Sequence, residues 1–437
     1  MALKLWKDGV DSASIATIPE NGNFKCIGNY YLAKKDPFLY DEDKLILKDG
    51  FCIDLYDGVD WRQFSNRGNI EFDPAANLDT GDTLQYGKDY FVYIVLNNSN
   101  PEIIVSLNST YPDGFDENNS RKIGGFHVGH IRKVSTDGLW VPVDSTGQKW
   151  GSSGTKWQDN VTTGIVPNSV WDLKNRPRTL FGGMVKINAN LWASIYIPSV
   201  DEAITFMAGT NGLSVAEGSL QSKYGELPAT GTEGLNMFNF NELAHRQGMR
   251  LLDYSEWLDV AFGSPQGEDG SNNYGWTKTT NSGRARTGCQ VDNATGERDT
   301  VNGVKPFAIS AKNAVDCAGN VYEWTKTMSL DFSSSTSWNW QNVLGANQGQ
   351  AYLPNSTGLR ALICGAHWDN GVHCGPRTVN GNNYPWNVNT NIGSRFACDL
   401  MRINQDYVLV CLRTTSSDYF NEVRIRLTVF GRILYFA

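Results

Sequence analysis

Charge is scarce in this 437-residue chain: Asp, Glu, Lys and Arg make up 19% of it and sum to −8. A protein that neutralises nucleic-acid phosphates needs a basic footprint, so that class of partner is excluded. Histidine is scarcer, with five residues, and the eight cysteines (Cys26, Cys52, Cys289, Cys317, Cys364, Cys374, Cys398, Cys411) form no CxxC pair. They read as buried thiols of a chain made in a reducing compartment. His127 and His130 lie three apart in GGFHVGH with no Cys or carboxylate cluster beside them, so no metal-ligand set is legible. Met1 to Ser12 contains no apolar leader core, and no run reaches the ~18 apolar residues of a membrane span. The sequence therefore predicts synthesis in a cytoplasm without membrane insertion; such a chain can still act outside a cell if lysis releases it.

What the chain holds instead is glycine and aromatic residues: 44 Gly, 14 Trp and 18 Tyr. That composition suits short strands and long ordered loops better than helical bundles. The length exceeds what one apolar core serves, so two or three domains are expected. Residues 1–43 alternate short apolar pieces with charged turns and read as a peripheral attachment segment. Residues 44–143 read as a β-rich domain, a sandwich or prism: LILKDGFCIDLYDG, DYFVYIVLN, EIIVSLN and IGGFHVGHIRKV are strand-length apolar runs, separated by turns such as YPDGFDENNS. Residues 144–165, rich in Gly, Ser and Thr, read as a linker. Residues 166–404 read as a mixed α+β domain with two helical stretches in 236–265. In the first, Phe240, Leu243 and Ala244 share a face; in the second, Ser255 precedes a turn bearing Trp257, Leu258 and Ala261, and Gly263 supplies the stop. Residues 405–437 form an extension whose VRIRLTVFGRILYF alternates as an amphipathic strand does.

Four motifs in one order give the mixed domain its character. They are Arg250 to Ala261 (RLLDYSEWLDVA), Asp316 to Thr325 (DCAGNVYEWT), Cys364 to Trp368 (CGAHW) and Asn391 to Asp399 (NIGSRFACD). In a loop-rich domain, large aromatics such as Trp257, Trp324 and Trp368 are needed to close the core. Gly319 and Gly393 mark places where backbone bends or passes closely. Glu323, between Tyr322 and Trp324, reads as a buried carboxylate tied to backbone or Arg donors. Together the motifs resemble those of formylglycine-generating-enzyme-like domains, which implies a C-type-lectin-like fold. In the oxidases of that family, two cysteines five residues apart follow the third motif and hold copper. Here only Cys374 is present, so it reads as an incidental thiol.

The segment 380–391 has six Asn in twelve positions, and GSRFACDLMRIN closes it. Together with YPDGFDENNSRKIGGFH and PNSVWDLKNRP, these stretches resemble the variable proteins of diversity-generating retroelements, the family of the phage major tropism determinant. Asn codons carry two adenines, the substrate of adenine-directed mutagenesis. The resemblance implies a phage-tail adhesin on the virion tail tip that binds a bacterial host surface receptor, protein or glycan, through a variable region over 361–400. It implies a homotrimer associated with other tail proteins, and avidity would compensate for weak single patches. Amides and rigid aromatics are what adaptable binding surfaces use. The side chains expected to recognise the ligand are His367, Asp369, Asn370, Val372, His373, Asn380, Asn382, Asn383, Tyr384, Asn387 and Asn389, with the glycines, Trp368 and Phe396 as scaffold. No catalytic residue and no cofactor are expected. A structural Ca²⁺ stays open, because Asp and Asn abound but no ligand loop is legible. The competing readings are a structural tail or baseplate subunit without receptor binding and, given the fold, a metal-dependent oxidase.

Overall fold

The computed structural model describes most of residues 38–132, 161–264, 283–291, 309–333 and 339–401, the pair 298–299, and two short hairpins, Ala2–Leu3 with Ala16–Thr17 and Ile425–Val429 with Arg432–Phe436. The rest of the expected attachment segment and C-terminal extension, and linker residues 144–160, lie outside the described residues.

The N-terminal half is built on Asp89–Asn97, where nearly continuous apolar residues meet buried surface on both faces. It forms a tight antiparallel hairpin with Asn100–Ser106 and pairs on its other side with the long strand Ser120–Arg132. A register shift between Lys122 and Gly124 bends that strand. At Gly125 an added Cβ would lie 2.7 Å from the Trp171 indole and 2.6 Å from Tyr90 O, so only glycine lets these groups approach. A second small sheet, Phe38–Asp41, Lys44–Leu47 and Ile70–Phe72, supplies Leu45, Leu47 and Phe72 to one apolar cluster with Tyr90, Val92, Ile94, Phe126 and Ile165. Two sheets sharing one core is the expected sandwich.

One boundary differs. Val161–Ile165, assigned to the linker by its Gly/Thr composition, is a strand antiparallel to Val128–Arg132. Val161, Thr162, Thr163 and Ile165 are β-branched and suit a sheet edge, and Ile165 is buried in the core.

The C-terminal half is the mixed domain. Early strands meet a late one: Arg176–Pro177 and Leu191–Ser194 both pair with Phe396–Met401, joined by Met184–Lys186 and Arg250–Leu251. A six-stranded sheet runs in the order Asn339–Gln341, Ala351–Leu353, Val379–Asn383, Asn355–Cys364, Tyr322–Ser333, Ile392–Ser394. Helix α1 (Met237–Arg246) buries Met237, Phe240, Leu243 and Ala244, and an Asn236/Asn239 capping box starts it. Helix α2 (Tyr254–Ala261) begins one residue before Ser255. Its cap is Asp253, whose carboxylate accepts from Glu256 N (2.8 Å) and Ser255 Oγ (2.7 Å). It buries Trp257, Val260 and Ala261, and Gly263 follows at φ +72°.

Trp257 and Trp324 are fully buried, as the motifs required. Trp192 is the third such anchor, whereas Trp368 is only partly buried. Between the halves, His127 Nδ1 meets Asp89 Oδ1 (2.9 Å) and Nε2 meets Tyr196 OH (3.0 Å), while Asp89 Oδ2 accepts from Gly183 N (2.8 Å). His127 thus belongs to an interdomain hydrogen-bond chain. His130 instead packs its ring on Tyr86.

Candidate functional site

The four motifs converge on one buried ion pair. Arg395, wholly buried, donates from Nε to Glu323 Oε2 (3.0 Å) and from Nη2 to Oε1 (2.8 Å). Its remaining donors reach the carbonyls of Ser194 (2.8 Å), Ile195 (2.7 Å) and Val315 (2.7 Å). Trp257 Nε1 donates to Glu323 Oε2 at 3.0 Å. Every charge is thereby compensated, as burial demands. Asn320, at φ +62°, brackets Ala285 by accepting from its N (2.8 Å) and donating to its O (3.0 Å). Gly319 sits at φ +93°, and a Cβ on Gly393 would meet Ala229 O at 2.8 Å. These residues tie together the frame from which 365–391 projects.

Two connections in that projection are clamped by main-chain bonds. The loop 365–378 is held by Gly319 N to Gly365 O (2.7 Å), Trp368 N to Asn320 O (3.0 Å) and Gly365 N to Thr378 O (3.0 Å). The segment after Asn383 is held by Met237 N to Pro385 O (3.1 Å) and Gly231 N to Asn389 O (3.0 Å). Asn387 N to Tyr384 O (2.9 Å) closes a β-turn with Pro385 at its second position, where a fixed φ favours it. None of these bonds uses the side chains of Tyr384, Trp386 or Val388, so those three can change while the path persists.

Along that path exposure alternates. Tyr384, Trp386 and Val388 are 36%, 50% and 49% exposed, whereas Pro385 is buried and Asn387 and Asn389 are half-buried. Tyr384 and Trp386 stack at 5.0 Å with 9° between planes, and the Arg360 guanidinium lies 3.8 Å from the Tyr384 ring centre. Arg360 Nη1 also donates to Asn382 O (3.1 Å). Asn383 Oδ1 accepts from Asn389 Nδ2 (2.9 Å), and Asn380 Oδ1 accepts from Asn382 N (2.8 Å).

The residues read from the sequence thus fall into three places. Asn380, Asn382, Asn383, Tyr384, Asn387 and Asn389 come together on the strand Val379–Asn383 and its turn. His367, Asp369 and Asn370 occupy the neighbouring loop: Asn370 Oδ1 caps His367 N (2.8 Å), the His367 ring packs between Tyr322 and Trp368, and Asp369 is exposed. Burial lowers the His367 pKa to about 4. His373 lies apart, stacked on Trp340 at 4.2 Å and 4°, with Nδ1 2.5 Å from Gln350 Oε1; burial lowers its pKa as well. Val372 lies outside the described residues.

Trp386 and Val388 were not among the expected recognition residues, although their alternation with Tyr384 was available as a signal. Arg360 and Trp340 lie outside 361–400, and only the sheet order brings them in. Cys374 is buried, burial raises its pKa, and its thiol lies 3.5 Å from Gly365 O. No group of three His, Cys, Asp or Glu suited to a metal occurs among the described residues.

A β-rich N-terminal half carrying a C-type-lectin-like domain with an exposed, backbone-clamped loop surface defines the class of this protein. The comparisons name the relatives that share it. Residues 39–158 match the Mtd second domain, and residues 183–400 match the sulfatase-modifying factor enzyme 1-like domain. A tail fiber receptor-binding protein of Bordetella phage BPP-1 is 25% identical over 339 residues, 74% of each protein. The solved U1 variant of the major tropism determinant superimposes with TM-score 0.57 at 19% identity, covering 86% of this chain and 87% of that one. The P3c variant gives 0.55 at 20%, covering 87% and 86%. This chain has the architecture of the major tropism determinants.

Proposed function

We propose that this chain is the receptor-binding protein of a phage tail, a tropism determinant that grips a host surface ligand through residues on 365–391. The observation that carries this reading is the exposed Tyr384–Trp386–Val388 row on a path clamped to the frame by main-chain bonds. Rigid aromatics beside amides make adaptable contact at low entropy cost, and a clamped path lets side chains vary without refolding. The similarity to a tail fiber receptor-binding protein supports the same reading. In it, 44–143 and 166–404 are the two main domains, residues 1–43 attach to other tail proteins, and three copies assemble to gain avidity. The protein is made in the host cytoplasm, leaves by lysis and works at the virion tail tip. The variable region spans 361–400 and is diversified by a retroelement.

The reading includes no chemistry. The sulfatase-modifying-factor-like domain belongs to an enzyme family, but in the stretch 369–377 after CGAHW the one cysteine is the buried Cys374, with no partner five residues away, and its raised pKa disfavours the thiolate that metal binding and nucleophilic attack need.

The test is adsorption. Asn382, Asn383 and Tyr384 replaced together by Ala should abolish or retarget binding to cells that the parent binds. Thermal stability should shift by only about 1 kcal/mol, most of it from the lost Arg360–Tyr384 stack. A folded triple variant that adsorbs as strongly as the parent would move recognition away from these residues, whereas a parent that binds no cells would return the protein to a purely structural tail role.

A further inference from the structure

Trp340 lies outside the segment expected to vary, on the strand Asn339–Gln341 at one edge of the six-stranded sheet. Three contacts connect it to the candidate site. Its ring lies flat on His373, and it sits directly across from Tyr352 in an antiparallel register, with ring centres 5.2 Å apart. Tyr352 in turn pairs with Asn380 on the next strand. The His373 ring is itself held by Gln350. The indole is partly exposed at this edge.

We propose that Trp340 is a constant recognition residue of the receptor-binding surface, an anchor that contacts the ligand beside the changeable turn. This inference rests on the receptor-binding reading. Two strand spacings of about 4.8 Å separate Trp340 from Asn380, and four strand residues of roughly 3.3 Å carry the surface on to Tyr384. A ligand covering the turn therefore reaches the indole within the breadth of one ordinary interface of about 800 Å² per partner. Tryptophan combines large contact area with few rotatable bonds and is enriched among the residues that dominate binding energy. Here it is also pre-ordered by the His373 stack, so little freedom is lost on contact. With His373 neutral near pH 7, the stack presents an uncharged flat surface suited to a neutral planar or apolar group. A fixed anchor would keep a baseline of affinity while neighbouring side chains change specificity.

The experiment uses the full-length protein and whole cells of a strain to which it adsorbs. Trp340→Ala and Trp340→Leu, each verified as folded by circular dichroism and thermal melting, are compared with His373→Ala, the Trp340/His373 double variant and the Asn382/Asn383/Tyr384 triple variant. The expected result is at least a tenfold loss of adsorption affinity for both Trp340 variants, a smaller loss for His373→Ala, and a double variant weaker than either single one. If the triple variant loses binding while both Trp340 variants adsorb like the parent, the anchor is wrong and the receptor-binding reading stands. If His373→Ala loses as much as Trp340→Ala and the double variant loses no more, Trp340 only positions His373, and the inference is overturned. If the triple variant adsorbs like the parent, recognition does not run through the turn, and the inference of an anchor beside it fails; a parent that adsorbs to no strain would instead sink the receptor-binding reading itself.

Discussion

At the scale of single residues, burial decides protonation more than charge does. His130 and His367 are pushed down to about 3 and about 4 from an ordinary 6.5, because burial penalises their charged forms. Below pH 6.5 the unfolded chain takes up protons that the folded chain refuses. The stability these residues contribute is therefore fully present above pH 6.5 and falls as pH drops toward the folded values. The urea midpoint should decrease from pH 7 to pH 5. His130→Phe, which keeps a ring against Tyr86, should flatten that slope. Parallel pH profiles for parent and variant would show that His130 is not a source of the acid sensitivity. The Glu323–Arg395 pair meets the demands of burial by a different route: all five Arg395 N–H donors and both Glu323 carboxylate oxygens find partners.

At the scale of elements, the binding surface depends on strands and turns that contribute no recognising side chain. Gly231 is an example. An added Cβ there would lie 2.4 Å from Asn389 N and 2.6 Å from Asn389 C and O, while Gly231 N holds Asn389 O. The obstruction is backbone, which cannot swing aside. Gly231→Ala should displace the 384–391 turn and reduce adsorption at least tenfold. The strain should cost about 1–3 kcal/mol of stability, as overpacking commonly does, without collapsing the domain. The measurement is adsorption together with a thermal melt; unchanged adsorption would mean the turn tolerates displacement. The strand Asn355–Cys364 contributes similarly through Arg360, which supports Tyr384 from behind.

At the scale of the molecule, the proposed binding face is nearly free of net charge despite the chain's −8. Of the four charged residues in 361–400, Arg395 is buried with Glu323, the exposed Asp399 pairs with Arg250 (3.1 Å), and Asp369 and Arg377 are exposed with opposite signs; Arg360, behind Tyr384, is itself buried. Contact through aromatics and amides is little screened by salt. Adsorption affinity should change less than about twofold between roughly 50 and 500 mM NaCl, whereas a charge-steered adhesin would weaken steeply. Titrating adsorption against ionic strength checks this directly.

The sequence alone determined the elements whose cause is local. A strand-length apolar run marked Asp89–Asn97, apolar spacing marked α1 and α2, and the DCAGNVYEW and GSRFACD motifs marked the frame, because a buried carboxylate and left-handed turns each demand particular residue types nearby. It also showed where amides and aromatics concentrate, over 361–400. Only the tertiary structure decided that Arg395 is the partner of Glu323, that Trp192 rather than Trp368 is the third buried anchor, and that Val161–Ile165 closes a sheet. It alone brought Arg360 beside the turn and Trp340 onto His373, and set Tyr384, Trp386 and Val388 outward while Asn387 and Asn389 turned back. The physical reason is separation along the chain. Strand order and close backbone packing bring together residues tens to hundreds of positions apart, and no local period or composition records which of them will meet.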